Sequence, residues 1–385
     1  MSDAAANPVG GPTADVPPPI TLAQLSRWCF GDEAAATAAE EGRDLELPDY
    51  PLLRVVAYRF DPEKYRAFLA DYRAAAMQDL TQRLAMERLA GIFEKAGVRF
   101  APIKGADIAV NCYPDPALRV RCDLDVLVHP ADLDAAERLA LADGWRQVAA
   151  YEHEYHRPTL VRQNVHLELH FNLPQIGGEH IDYIWEQLIA EPGTTRFRLP
   201  PELTALLVFH HARHHQWLTG VAALADLGFM LGKFKKLDWA RVDELAEHFG
   251  IAAPQGFFHA FAGFFPECCM PPGAPPPEEV LQAIRTAVDA HLNVNCNREL
   301  VVGLGSFFSR KWWRRRISGF RPSVVRFTYH LPPGHPFRLL GGYLRMIGDK
   351  SRLLVSALAH RSGGEKSALT AVNRAEAYFS GLERK

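Results

Sequence analysis

RVRCDLDVLV, the stretch from Arg119 to Val128, carries Asp123 and Asp125 two apart in a run otherwise rich in Val and Leu. That is the pattern of a buried β-strand whose side chains alternate between faces, so both carboxylates point the same way. Burying two unpaired carboxylates on an apolar strand is costly, and a cation is expected between them. Oxygen ligands suit a hard divalent ion, Mg2+ or Mn2+, which takes its remaining ligands from water and substrate phosphates. For this decapeptide alone, an edge strand with the Asp pair facing solvent is the competing reading. Cys122, next to Asp123, is expected to point to the opposite face and join the core.

The flanks extend the pattern. Upstream, VRFAPIKGADIAVNCY reads as a short strand (Val98 to Ile103), a Lys104-Gly105 turn and a helix from about Ala106 to Tyr113. Glycine at a strand-to-helix turn lets backbone N–H groups approach an anion, and the adjacent lysine supplies a point charge for phosphate. Downstream, in NVHLELHF, His166, Glu168 and His170 share one face while Val165, Leu167 and Leu169 share the other. A third carboxylate thus arrives on a neighbouring strand, unless Glu168 simply lies beside His on an exposed face.

Taken in order, Lys104-Gly105, Tyr113, Arg119, the Asp123-Leu-Asp125 strand, Gly144-Trp145 and Glu168-Leu-His170 resemble an uncharacterised bacterial nucleotidyltransferase family of the polymerase β-like superfamily. The spacing from glycine to the first aspartate is also similar to that of lincosamide-type and aminoglycoside-type antibiotic nucleotidyltransferases. In one departure, Lys-Gly stands where the wider superfamily has Gly-Gly or Gly-Ser, so the hydroxyl that often helps hold the triphosphate is missing. The resemblance implies an NTP donor and two Mg2+ or Mn2+ ions held by Asp123, Asp125 and Glu168. It further implies that Lys104, Gly105, Arg119 and Arg121 contact the nucleotide phosphates. His166 or His170 would accept the acceptor's proton or orient the carboxylate. The activity implied is transfer of a nucleoside monophosphate to a small-molecule, sugar or peptide-tailoring acceptor.

The remaining sequence frames this core. With 385 residues the chain has room for two or three domains. A formal charge of -2 implies no global attraction to nucleic acid or membrane. Six cysteines without C-x-x-C pairs suggest free thiols in a reducing compartment. No apolar run reaches the roughly 18 residues that span a bilayer, and no basic residue precedes Arg27 to make a secretory n-region, so a cytoplasmic protein is expected. The expected fold is α+β, a small mixed β-sheet between helical regions, in the order β-α-β-α-β-β-β with the carboxylate strands adjacent. Its parts are a disordered tail (1–20), an N-terminal helical region (21–97), the catalytic core (98–199), a helical domain (200–265), a proline-rich linker (266–277) and a basic helical region (278–385). Thr21 is expected to cap a helix over LAQLSRWCF, and Asp61-Pro62 to start a long helix stopped by Gly97. Its apolar stripe would include Leu80, Leu84, Ile92 and Phe93. Candidate strands at Arg146 to Tyr151 and Pro158 to Gln163 precede the Glu168 strand.

Further along, His210/His214 and His211/His215 form i, i+4 pairs on one helix. No Glu follows the first His, as a zinc protease would need. Packed histidines, a zinc site and a cleft lining are all open readings. The resembled family carries a similar pattern at His211, His215, Trp217 and Asp226, which implies that this helix faces the active site with Asp226 as a supporting residue or general base. Between Glu299 and Asp349 there is no acidic residue, while Arg314, Arg315 and Arg316 follow Trp312 and Trp313. Such a stripe is a solvated face, a phosphate-contacting patch, or an RNA or membrane contact. Two rivals to small-molecule transfer follow: a nucleotidyltransferase that modifies RNA or protein, and a non-catalytic relative that binds a nucleotide or partner without turnover.

Overall fold

A computed structural model describes residues 17–32, 46, 47, 50–148, 155–173, 176, 178–214, 220–251 and 255–293, together with 340, 341, 343, 344, 374 and 378. Its centre is a mixed five-stranded sheet among helices. Numbering strands along the chain, β1 (Ile20–Thr21) pairs with β2 (Glu46–Leu47), apart from the main sheet. The main sheet comprises β3 (Phe100–Pro102), β4 (Asp123–Val128), β5 (Arg146–Gln147), β6 (Leu160–Arg162) and β7 (Val165–His170), in the order β3-β4-β7-β6-β5. β4 and β7 run parallel, and every other pairing is antiparallel. β6 turns into β7 through Gln163 and Asn164, both at positive φ (48° and 63°), as a tight two-residue hairpin requires.

The helices are α1 (Leu22–Phe30), α2 (Pro51–Phe60), α3 (Leu69–Lys95), α4 (Lys104–Asn111), α5 (Leu133–Ala142), α6 (Ile181–Gln187), α7 (Pro201–His214), α8 (Gly220–Phe234), α9 (Trp239–His248), α10 (Gln255–Ala260) and α11 (Glu278–Asn293). Among the described residues, no helix is long and apolar enough to cross a membrane.

Alternation along the central strands sorts the two faces. Leu124, Val126 and Val128 of β4 and Val165, Leu167 and Leu169 of β7 bury into a cluster with Met86, Leu89 and Phe93 of α3 and Ala136 and Ala140 of α5. The opposite face carries Asp123, Asp125, Glu168 and His170. Beyond it lies a second, larger core, which Leu127 enters alongside residues of α1, α2, α7, α8 and the later helices.

Helix ends follow the glycine signals. At Gly97 the backbone turns left-handed (φ 72°), Val98 N–H donates to Phe93 O (2.9 Å) and Gly97 N–H to Glu94 O (3.1 Å). This six-to-one and five-to-two pair closes the orphan carbonyls of α3. Gly144 ends α5 the same way, with Trp145 N–H donating to Ala140 O (3.2 Å) and Gly144 N–H to Leu141 O (3.1 Å). At the other end of the chain, Thr21 and Gln24 form a reciprocal capping box on α1.

Three expectations need correction. Asp61 ends α2, which the sequence reading did not contain, and α3 begins only at Leu69. Pro62 biases Asp61 away from the helical region (φ -143°, ψ 77°), so Asp-Pro breaks between two helices here. Leu80 and Leu84 are exposed while Asp79 and Gln82 are buried. This side of α3 docks on a polar anchor: Gln78 and Gln82 Nε2 donate to Arg121 O (2.5 and 3.2 Å), and Arg121 pairs with Asp79 at 2.7 Å. Cys122 is exposed, because β4 starts one residue later and the strand's alternation does not reach it. Strands are present at Arg146–Gln147 and Leu160–Arg162, inside the expected ranges. Tyr151, His215, Trp217 and the basic stretch from Arg310 to Arg338 lie outside the described residues.

Candidate active site

Parallel pairing sets the site's register. Asp123 lies opposite His166 and Asp125 opposite Glu168, with Leu127 opposite His170. Because parallel neighbours put their side chains on the same face, Asp125, Glu168 and His170 converge without help from loops. Their ligand atoms all lie within 4.8 Å of one another. His170 Nε2 is 2.7 Å from Asp125 Oδ1 and 3.6 Å from Glu168 Oε2. Asp123 and His166 stand one step nearer the strand starts, Asp123 half-buried and His166 exposed.

Lys104 adds the positive charge. It opens α4 in the left-handed region (φ 51°), an uncommon conformation for a residue with a Cβ. From there Nζ reaches Asp125 Oδ1 at 2.8 Å and comes within 3.5 Å of His170 Nε2. Ile103 caps α4 without a side-chain hydrogen bond, and with Ala106 N–H donating to Ile103 O (3.2 Å) it is the N–H groups of Lys104 and Gly105 that can meet an anion. An added Cβ on Gly105 would lie 3.4 Å from Arg121 Cβ.

Electrostatics separate the carboxyls. Burial pushes Asp123 up to about 6, and the neighbouring Asp125 and Glu168 charges push the same way. Burial would also raise Asp125, but the His170 hydrogen bond and the Lys104 ammonium hold it well below the usual carboxylate range. Glu168, too, is held low against burial by His170 and His156. A surplus of carboxylates, with one cation already drawn to them, fits a divalent ion. The oxygens of Asp125 and Glu168, with a nitrogen of His170, form a workable donor set.

A cleft opens beside Lys104, bordered by Gly105, Asp107, Arg119, His211 and Asp226 with Tyr50 and apolar residues of α4, α7 and α8. Arg119 and Asp226 meet in its wall at 2.7 Å, and Tyr113 donates to Asp226 at 2.7 Å. Asp226 is therefore a buried anchor for Arg119 rather than an exposed helix residue. Arg121 packs beside Gly105, and its Nη2 is engaged with Asp79. His211 borders the cleft, and its partner at 215 lies outside the described residues.

Sequence reasoning missed two groups. His156 is buried, bridges to His170 across the sheet edge and has Nε2 3.6 Å from Glu168 Oε2. Only pairing reveals it, because its neighbours carry no strand alternation. Asp107, on the first turn of α4, is buried in the cleft wall with Asn111 donating to it at 2.7 Å. Its spacing from Asn111, one helical turn, was the available signal.

No curated protein and no solved structure matches the chain. The model of a family described as uncharacterised nucleotidyltransferase matches residues 58–263, a span that holds the five-stranded sheet, the carboxylate cluster and the cleft lining apart from Tyr50. With more than half of its 385 residues matched, the chain belongs to this uncharacterised nucleotidyltransferase family.

Proposed function

We propose that this nucleotidyltransferase moves a nucleoside monophosphate from an NTP to a hydroxyl or similar group of a small-molecule, sugar or peptide-tailoring acceptor. The observation that carries the reading is the convergence of Asp125, Glu168 and His170 with Lys104, beside an uncapped helix start and an open cleft. In it, Asp123, Asp125 and Glu168 hold Mg2+ or Mn2+, two ions in all. When bound, such ions stabilise charge on the attacking and leaving oxygens of an in-line displacement at the α-phosphorus, with pyrophosphate leaving.

The chain's own groups do the rest. Lys104 and the first N–H groups of α4 receive the phosphates, the lysine as a point charge and the backbone as fixed donors that need no reorganisation. Arg119, held by Asp226, which accepts in turn from Tyr113, presents a pre-set cation to the cleft. His170 holds Asp125 in orientation through its 2.7 Å contact. His166, exposed opposite Asp123, is the group assigned in this reading to accept the acceptor's proton. Burial of the sheet side of the site keeps bulk water from the carboxylates.

Melting temperatures with each NTP, with and without Mg2+ or Mn2+, test this reading, since a ligand that binds the native state raises the midpoint by mass action. A metal-dependent rise with at least one NTP is expected, and Asp123→Ala, at a half-buried residue, abolishes it. An equal rise in the variant, or no rise with any NTP, refutes the assignment.

A further inference from the structure

Two carboxyls line the cleft, and only one of them has a cation. Asp226 is met by Arg119 at 2.7 Å. Asp107, 4% exposed and three residues along α4 from Lys104, accepts at Oδ1 from the neutral amide of Asn111 (2.7 Å). Among the described residues no other hydrogen bond and no ion pair holds it. The lysine and arginine of the lining are committed elsewhere, Lys104 to Asp125 and Arg119 to Asp226. Arg196 and Arg198 act on Asp107 only from a distance, and Arg196 is drawn toward Glu87 at 3.5 Å and Glu191 at 3.7 Å.

An isolated buried carboxylate is costly, and buried charges are normally paired. Burial pushes Asp107 up to about 7, and the surrounding charges do not bring it back. In the free protein this group therefore costs stability at neutral pH. Packing gives no reason for it, since Ile108, Leu207, Val208 and Ala222 around the same cleft are apolar. A carboxyl kept in a cleft against its own desolvation marks a binding site.

We infer that Asp107 is the specificity determinant of an acceptor subsite, where its carboxylate pairs with a cationic amine carried on an apolar body. An ammonium supplies the missing counter-charge and up to three donors, whereas a hydroxyl supplies one donor and no charge. The apolar wall covers the ligand's body and keeps water from the pair, which strengthens it. Calling this ligand the acceptor rests on the nucleotidyltransferase reading. Lys104 borders the same cleft and reaches Asp125, so a ligand anchored at Asp107 lies beside the phosphate-receiving turn and leaves its hydroxyl to meet the acidic cluster.

Cyclohexylamine and cyclohexanol, alike in body and different in head group, probe the site in the full chain at about pH 8, where the amine is protonated and Asp107 mostly ionised. Dissociation constants come from ligand-observed NMR in saturating Mg2+, which keeps the amine off the acidic cluster. In the parent the amine is expected to bind at least about tenfold more tightly than the alcohol, a ratio that needs no variant. Asp107→Asn, whose melting temperature checks its folding, is expected to bind the two alike. No measurable amine binding, equal affinities in the parent, or a preference that survives in Asp107→Asn overturns the inference. Any of these alongside a metal-dependent melting rise with an NTP leaves the proposed function standing. An amine preference that Asp107→Asn removes, with no response to any NTP, keeps the Asp107 subsite and removes the transferase reading.

Discussion

Replacing Asp226 by Asn keeps the side chain's shape and removes its charge. In the parent, Asp226 is nearly inaccessible, with Arg119 Nε at 2.7 Å and the Tyr113 hydroxyl also at 2.7 Å. Burial pushes Asp226 above the usual carboxylate range, and Arg119 and Tyr113 oppose that shift. Asn can still accept from Tyr113, so the variant isolates the loss of charge. It leaves the Arg119 guanidinium buried with the Val120 carbonyl, 2.8 Å from Nη1, as its remaining polar contact in this network. Stranding one partner of a buried pair costs about 3–5 kcal/mol. Tyr113→Phe removes one neutral donor and should cost only about 1 kcal/mol. Urea denaturation of the three proteins measures these differences as shifts in midpoint at constant slope. Replacing the pair together, Arg119→Met with Asp226→Leu, removes both charges and should recover most of the loss. The reasoning fails if Asp226→Asn costs less than about 1 kcal/mol, or if the double replacement is as unstable as Asp226→Asn.

Two other perturbations follow from the same packing. Burial pushes Asp107 up to about 7, against the lowering contact with Asn111. An unfolded Asp titrates near 3.9, so the folded chain binds a proton between these values that the unfolded chain does not, and stability falls as pH rises through this window. The full effect is about 4 kcal/mol; Asp107→Asn should therefore be more stable than the parent at pH 8 and lose that advantage toward pH 5, in denaturation at the two pH values. Gly232 packs against α1 so closely that an added Cβ would lie 2.1 Å from Cys29 O. Gly232→Ala must push α1 from α8 and should cost about 1–3 kcal/mol, while Gly91→Ala, with nothing within 4 Å, should be neutral or stabilising in thermal unfolding.

What could be read without the structure depended on local chemistry. Period-two alternation sorted Asp123 and Asp125 from Leu124 and Val126, and Glu168 and His170 from Leu167 and Leu169. The helices cover the apolar set on one face of the sheet, as that sorting requires. Gly97 and Gly144 marked helix ends because left-handed backbone is easiest for glycine. The phase of α3 was misread for a different reason. Amphipathic counting assumes an apolar partner, whereas Asp79 and Gln82 face the buried backbone and guanidinium of Arg121. Docking a polar segment inverted the pattern and left Leu84 in solvent.

The sequence by itself determined the strand faces, the helix stops and the order of the acidic groups, since each depends on residues within a turn or two of one another. Tertiary structure alone decided the parallel β4–β7 register that sets Asp125 against Glu168, the partner of Arg119, and the arrival of His156 beside Glu168. Those contacts join residues far apart in the chain. Their specificity comes from which faces must be buried together, and no local spacing encodes that.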